Sequence, residues 1–430
     1  MKFTSLVFAC CQILTIWLCP RLWAQQVLDL PTALSRASST HPYAQQGALH
    51  RELSESEATA IRKARLPQAM IQGQIAYFSD VISPADENSP AALVFPDIPF
   101  LQGQAYLQVN YDLYNGNIRN KKLIQNDASL DVSLADTEVK LFEIKQQVLD
   151  LYVAAAILEA QMGIYQQDLI PQIDSQLQEM IAQEAEGAAL PGQTDAIRLE
   201  FQRTQQQIVQ LASTRDGLLQ TLAVWLDAPE EWANWSLQPP AQLVDTRSEI
   251  DRPELSLFRA QGTQLATSDG LLESRRMPIV SVYGIGGFGV PNPYNFLEVN
   301  GDFFGQIGLR VQWKPWDYGE VRAKRQSLEV QQSILQQQEE AFKRGLDAQI
   351  ARTASAIEQA QKLVEQDDQI IQILERNAKR SKAQLEIGVV TTSQHIDALK
   401  ALTQAKFTRI THQWDIIKQQ YYLAIAKGHL

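Results

Sequence analysis

Apolar positions along the chain follow two rhythms. Leu141, Ile144, Val148, Leu151, Ala155, Leu158, Met162, Tyr165 and Leu169 follow one another in steps of three and four. So do Ile197, Phe201, Thr204, Ile208, Leu211, Arg215, Leu218, Leu222 and Trp225, while Ile350, Ile357, Val364, Ile371, Ala378 and Leu385 recur every seven. A seam at 3.5-residue spacing makes helices supercoil in pairs. The pattern predicts long helices at about 116–186, 193–227, 318–387 and 393–427. At 1.5 Å per residue the first is about 100 Å long, and Pro171 is expected to kink it by removing a backbone donor.

The second rhythm has a period of two. Ile71, Ile75 and Tyr77 alternate with Gln72, Gln74 and Ala76; Leu107, Val109 and Tyr111 with Tyr106, Gln108 and Asn110; Ile307, Leu309 and Val311 with Gln306, Gly308 and Arg310. Strands are predicted at about 68–79, 103–113, 278–289 and 304–314. Some ten residues of such alternation mark a strand that crosses an outer membrane, although a strand of a soluble sandwich looks the same locally. On the membrane reading Leu107, Val109, Tyr111, Ile307, Leu309 and Val311 face lipid. Lipid cannot satisfy an open sheet edge, and bacterial barrels begin at eight strands. Four strands must therefore be shared with other copies to close.

The order of elements is written twice. Pro42 and Pro67 precede one strand pair as Pro253 and Pro278 precede the other, each couple 25 residues apart. Long helical patterns follow, broken once at Glu186-Gly187-Ala188 and once at Ile387-Gly388-Val389. Such recurrence defines internal repeats, here 25–230 and 251–430, joined by a Trp- and Pro-containing linker at 231–250. Glycine suits the two breaks because it tolerates positive φ at a sharp reversal.

Charge narrows the setting. No Lys or Arg lies between Arg65 and Arg119 or between Arg276 and Arg310, the windows that hold the strands; basic residues crowd the flanks. Charge on a lipid-facing strand is costly, whereas cations beside anionic headgroups are favourable. Residues 1–24 read as a signal peptide, with Lys2, the apolar run Leu6 to Leu18 and a small residue at Ala24. Its removal takes all three cysteines and shifts the formal charge from −11 to −13, through loss of Lys2 and Arg21. An acidic balance argues against nucleic acid as a partner. Past the leader, no run of some twenty apolar residues predicts a spanning helix.

No catalytic, cofactor-binding or metal-ligating set stands out. Gly284, Gly286, Gly287 and Gly289 resemble a dinucleotide loop only superficially, since that loop must open a helix and Pro291 and Pro293 follow here. The five histidines are scattered, whereas a metal site needs convergent ligands. The chain reads as a non-enzyme.

Taken together, the leader, the doubled strand–strand–long-helix order, the segment Trp316-Asp317-Tyr318-Gly319-Glu320-Val321-Arg322, and Gly388 followed by Thr391, Thr392 and Asp397-Ala398-Leu399 resemble the TolC family of outer-membrane factors. Gly187, Thr194 and Asp195-Ala196 repeat the last motif more loosely. The resemblance covers the whole mature chain. It implies an α+β membrane protein: a homotrimer with a twelve-stranded outer-membrane β-barrel, four strands per chain, continued by a periplasmic α-helical coiled-coil barrel. It also implies a passive exit duct of a tripartite efflux or type I secretion system. Helix tips around Gly187, Ala188, Gly388 and Val389 would dock a periplasmic adaptor (membrane fusion protein) attached to an inner-membrane transporter. Family members often place acidic residues before the second tip; here that stretch carries Lys379, Arg380 and Lys382, and the nearby acids are Glu184, Glu186 and Glu386. The alternative reading is a soluble periplasmic coiled-coil scaffold or adaptor, which leaves the amphipathic strands unexplained.

Overall fold

The computed structural model describes residues 26–81, 96–239, 249–295 and 297–429. The leader at 1–24 and the linker residues 240–248 lie outside the described residues. Two compact units emerge, and neither follows a repeat boundary. One comprises Met1–Ala44, Val139–Arg252 and Lys343–Leu430, the other Gln45–Glu138 and Pro253–Phe342. Each unit therefore draws on both halves of the sequence.

The second unit holds one antiparallel sheet of strands β2 (Gln68–Tyr77), β3 (Leu101–Asn115), β5 (Ile279–Val290) and β6 (Asp302–Gln312), in the order β2-β3-β5-β6. Residues directly opposite in antiparallel strands share a face. Ile71 pairs with Leu107, which pairs with Gly286; Val109 pairs with Gly284, which pairs with Ile307; Tyr111 pairs with Val282, which pairs with Leu309. Most aliphatic residues of the four strands are thereby gathered on one side, while Met70, Ile279, Ile285 and Phe304 fall on the other. The other side takes Gln68, Gln72 and Gln74 from β2, Gln102, Gln104, Gln108 and Asn110 from β3, and Gln306 and Gln312 from β6. A bulge between Asp112 and Tyr114 shifts the register of β3 against β5. Alternation ends there in sequence, but the strand continues to Asn115. Among the described residues β2 pairs only with β3 and β6 only with β5, so both outer edges are open.

Helices α2 (Pro42–Lys63) and α6 (Pro253–Ser274) precede the two strand pairs. Polar bonds hold this unit's helices together: Asn126 Nδ2 donates to Ser54 O at 3.0 Å and to Ser54 Oγ at 2.7 Å, and Arg325 meets Asp269 at 2.7 Å. After β6 the chain turns into a helix through Tyr318 (φ 49°) and Gly319 (φ 89°). Asp317 caps that start, accepting from the backbone N–H of Gly319 at 3.1 Å and of Val321 at 3.3 Å, which satisfies donors that a helix N-terminus leaves orphaned.

The first unit begins with β1 (Gln26–Leu28), parallel to β4 (Trp235–Leu237), and α1 (Leu30–Thr40). Its helices are α3 (Ile118–Ile164), α4 (Ile170–Ala185), α5 (Pro191–Trp225), α7 (Glu320–Glu386) and α8 (Thr392–Lys427); α3 and α7 begin in the other unit. Val148, Leu149, Tyr152, Val153, Leu219, Leu222, Trp414 and Ile425 form a buried core with Leu30 and Leu34. At its centre Tyr152 is fully buried, and its hydroxyl lies 2.7 Å from Leu28 O and 2.9 Å from Gln238 O. One side chain thus ties both short strands to α3. Burial pushes the phenol far above its ordinary pKa, so the bond-donating neutral form is the one the fold selects.

At Pro171, where a kink is expected, the ladder adapts just before the proline with a π turn at Tyr165–Leu169, and Pro171 sits in the first turn of α4. A proline has no N–H to donate and crowds the carbonyl four residues back, and the wider turn accommodates this. One stretch within Ile118–Ala185 does have the length and apolarity of a membrane-spanning helix, contrary to the reading above. Within it Val148, Leu149, Tyr152, Val153, Ala155 and Ala156 are core residues of this unit, so part of the apolar composition belongs to the core.

Candidate functional site

Two surfaces carry the function-bearing features. The first is the apolar face of the sheet. Ile71, Ile75 and Ile307 are each 82% exposed, and Leu107, Leu309 and Val311 are exposed as well. Val109 and Tyr111 lie on the same face and are half-buried by their neighbours. Contiguous exposed aliphatic surface of this kind is unusual unless another apolar phase covers it. No Lys, Arg, Asp or Glu lies on that face; the strands' charged residues, Asp112, Asp302 and Arg310, belong to the other. Beyond the end of β6, Trp313, Trp316 and Tyr318 are exposed, with the Trp313 indole N–H donating to Arg276 O at 3.1 Å.

The second surface is the pair of helix turns in the other unit. Gly187 and Gly388 adopt φ of 77° and 75°. Ala188 N–H reaches back to Gln183 O at 2.8 Å and Gly187 N–H to Glu184 O at 3.0 Å. At the other turn Val389 N–H bonds Gln384 O at 2.8 Å and Gly388 N–H bonds Leu385 O at 2.9 Å. Both are Schellman closures, which require the left-handed residue that glycine supplies. The helices leaving the turns are capped by glutamines: Gln193 Oε1 accepts from Leu190 N–H at 3.0 Å, and Gln394 Oε1 from Thr391 N–H at 2.8 Å while Thr391 Oγ1 accepts from Gln394 N–H at 3.3 Å. Ile387, Val389 and Leu190 are 74%, 66% and 70% exposed. The turns present apolar side chains on a backbone held by these bonds.

Below the turns, Leu169, Ile173, Leu177, Ile197, Ala378, Ile396 and Leu399 form a small core. Lys379, Arg380 and Lys382 are exposed and flank the buried Ala378 and Ser381; Glu186 is exposed and Glu184 half-buried. The basic trio therefore lies off the packed seam of α7. In the heptad series through Ile350 and Ile357, Ala378 is buried and the other members are half-buried. A second series, Leu346, Thr353, Ala360, Asp367 and Ser381, interleaves with it and is buried at each of these positions. Small and polar residues hid them, although a spacing of seven from Leu346 is visible once such residues are admitted to a seam. Asp367 accepts a contact from His412 Nδ1 at 2.6 Å, while Arg409 meets Asp368 at 2.5 Å and Lys406 meets Asp168 at 2.5 Å. These cross-helix pairs were not legible from the heptads.

His395, in the first turn of α8, is buried, and its Nδ1 has no hydrogen-bond partner. Burial holds its pKa below the ordinary 6.5, and the charge of Lys382 adds to the shift. A depressed folded-state pKa stabilises the fold above the unfolded value and loses that contribution as pH falls through the folded one. Amide exchange in 387–403, corrected for intrinsic rate, is thus expected to be faster at pH 5 than at pH 7.5. The substitution His395→Leu is expected to remove most of the difference; an unaltered pH dependence would assign the effect elsewhere.

Among the described residues no group of three His, Cys, Asp or Glu side chains could hold a metal ion. Hairpins of long helices and an amphipathic four-stranded sheet with open edges are the two defining parts of the fold. Solved structures share this fold. The outer membrane protein VceC of Vibrio cholerae aligns over 93% of this chain and 96% of its own, with TM-score 0.66 at 14% identity. A membrane protein of Pseudomonas aeruginosa aligns over 95% and 92% with TM-score 0.69 at 14% identity. The outer membrane channel MtrE of Neisseria gonorrhoeae, in its open state, aligns over 93% and 89% with TM-score 0.63 at 13% identity. The chain has the fold of these outer-membrane channels. No protein-family model matches it, and no curated protein matches it by sequence.

Proposed function

We propose that this chain is one protomer of a homotrimeric outer-membrane exit duct of the TolC family. Three copies of the sheet make a twelve-stranded barrel, and the long helices continue it as a periplasmic coiled-coil barrel. The observation that carries this reading is the sheet itself, apolar on one face and unpaired along β2 and β6. A sheet in lipid must close, and pairing the β6 edge of one copy with the β2 edge of the next closes it without exposing a polar backbone. The faces then sort by solvent, with Leu107, Val109, Tyr111, Ile307, Leu309 and Val311 toward outer-membrane lipid and the amides toward the lumen. Trp313, Trp316 and Tyr318 are placed as interfacial anchors, and the basic flanks meet headgroups.

On this reading the turns at Gly187-Ala188 and Gly388-Val389 are the periplasmic tips, where Leu190, Ile387 and Val389 offer the apolar contacts for a periplasmic adaptor and its inner-membrane transporter. Glu184, Glu186, Lys379, Arg380 and Lys382 are the charges available at the entrance. The duct is passive: force and cargo choice come from the transporter, in efflux or in type I secretion. A soluble coiled-coil scaffold would share the helices but leaves an exposed aliphatic sheet face without a purpose.

Cross-linking of the detergent-extracted protein is expected to stop at three copies, and the purified species is expected to conduct in planar bilayers. A stable monomer or dimer, or a protein released from cells without detergent, would overturn the barrel.

A further inference from the structure

The polar face of the sheet has a composition unlike the rest of the chain. Of all residues, 20% are charged, yet this face carries nine amides beside the apolar Met70, Ile279, Ile285 and Phe304, and its charges are Asp302 at the start of β6 and the pair Asp112 and Arg310. Asp112 and Arg310 sit in one lateral row, each directly opposite Ser281. They are about 10 Å apart, two inter-strand spacings, and largely offset one another in the field they project. An amide both donates and accepts hydrogen bonds. Such a wall offers little to an ion and much to a hydroxyl group, which also does both.

Aromatic rings are set into the same face. Tyr106 lies opposite Gly287, where a Cβ would come within 2.4 Å of the tyrosine Cβ. Tyr283 lies across Gly308, where a Cβ would meet its ring at 2.8–2.9 Å. Glycine at 308 leaves room for the Tyr283 ring, whereas at 287 it permits close approach to the β3 backbone, where a Cβ would meet Ala105 O at 2.3 Å. The rings are fixed by amides: Gln306 Nε2 donates to Tyr283 Oη at 2.9 Å, Tyr294 Oη donates to Gln306 Oε1 at 2.6 Å, and Tyr106 Oη donates to Gln72 Oε1. Tyr294 also packs edge-on against Phe304 at 5.3 Å. Held rings beside paired donors and acceptors match a molecule with an apolar C–H face and a hydroxylated rim.

We propose that this face is a transit-binding wall for neutral, hydroxyl-rich chains of oligosaccharide type. The proposal rests on the duct reading, in which the face lines the lumen.

The test uses the purified full-length trimer in a planar bilayer, with maltohexaose as probe and a polyethylene glycol of matched hydrodynamic size as control. Maltohexaose is expected to give resolved current blockades lasting at least tenfold longer than those of the glycol. Tyr106→Leu and Gln306→Leu are each expected to shorten the sugar blockades toward the glycol value. Equal blockades by both probes in a conducting wild-type channel would overturn the wall while leaving the duct intact. Absence of any conductance from a cross-linkable trimer would overturn the duct and the wall with it.

Discussion

Val109→Arg is expected to eliminate the detergent-resistant trimer from outer-membrane fractions, while Gln108→Arg leaves it at near wild-type levels. The two residues are neighbours in the middle of β3 and differ in face: Val109 lies in the row Ala69–Val109–Gly284–Ile307, and Gln108 in the row Met70–Gln108–Ile285–Gln306. An arginine facing lipid near the bilayer midplane costs about 2–4 kcal/mol, and a trimer incurs that cost three times. An arginine facing an aqueous lumen keeps its hydration and costs little. Side-chain volume and charge change comparably in the two variants, and the strand propensity lost with valine is within about 1 kcal/mol, so the face is what chiefly separates them. Equal losses would remove the assignment of lipid and lumen sides.

Gly388→Val is expected to disable the tip without affecting the sheet. At φ 75° the glycine occupies a conformation that a β-branched residue strongly resists. Because nothing lies within 4 Å of the added Cβ, crowding contributes nothing and the penalty is wholly conformational. An ordinary L-residue there costs about 1–2 kcal/mol, and valine more. Relief comes by breaking the bonds from Gly388 and Val389 back to Leu385 and Gln384, so amide exchange at 384–394 should accelerate at least tenfold. Adaptor co-purification should fall while trimer yield and bilayer conductance persist. Asparagine tolerates the left-handed region, so Gly388→Asn should retain most adaptor binding. Joint loss of trimer and adaptor binding in the valine variant would contradict the assignment of this turn to a separate docking role.

Much of the fold was legible in the sequence, and the gaps have identifiable causes. Strand β2 starts at Gln68, where alternation starts, because the hydrophobic period is all that a one-sided strand needs. β3 outruns its pattern because a bulge at Asp112 resets which side chains face which way. The three-residue strands β1 and β4 were missed: each is too short to show a period, and their pairing is set by the distant hydroxyl of Tyr152. The heptads show one half of the α7 seam; the other half is hidden because, besides Leu346, its buried positions hold threonine, alanine, aspartate and serine. Of the candidate site, the turns at Gly187 and Gly388 were visible because glycine interrupts an otherwise unbroken helical pattern. The capping glutamines and the ion pairs across α8 were not, since they depend on which helices become neighbours.

The unpaired margins of β2 and β6 also shape the life of the chain before it finds its partners. A lone copy exposes two rows of backbone donors and acceptors beside an aliphatic surface, which is the template on which strands of other molecules add indefinitely. On the proposed trimer, two copies still leave two margins and the third removes both. Assembly therefore competes with runaway polymerisation at every intermediate stage, and the outcome depends on how fast chains are supplied relative to how fast rings close. Overproduction should accordingly yield protease-resistant, cross-β aggregates nucleated at Gln68–Tyr77 and Asp302–Gln312 rather than a surplus of soluble monomer. Cells that use this protein would need a holding factor whose occupancy of those margins ends as the ring closes.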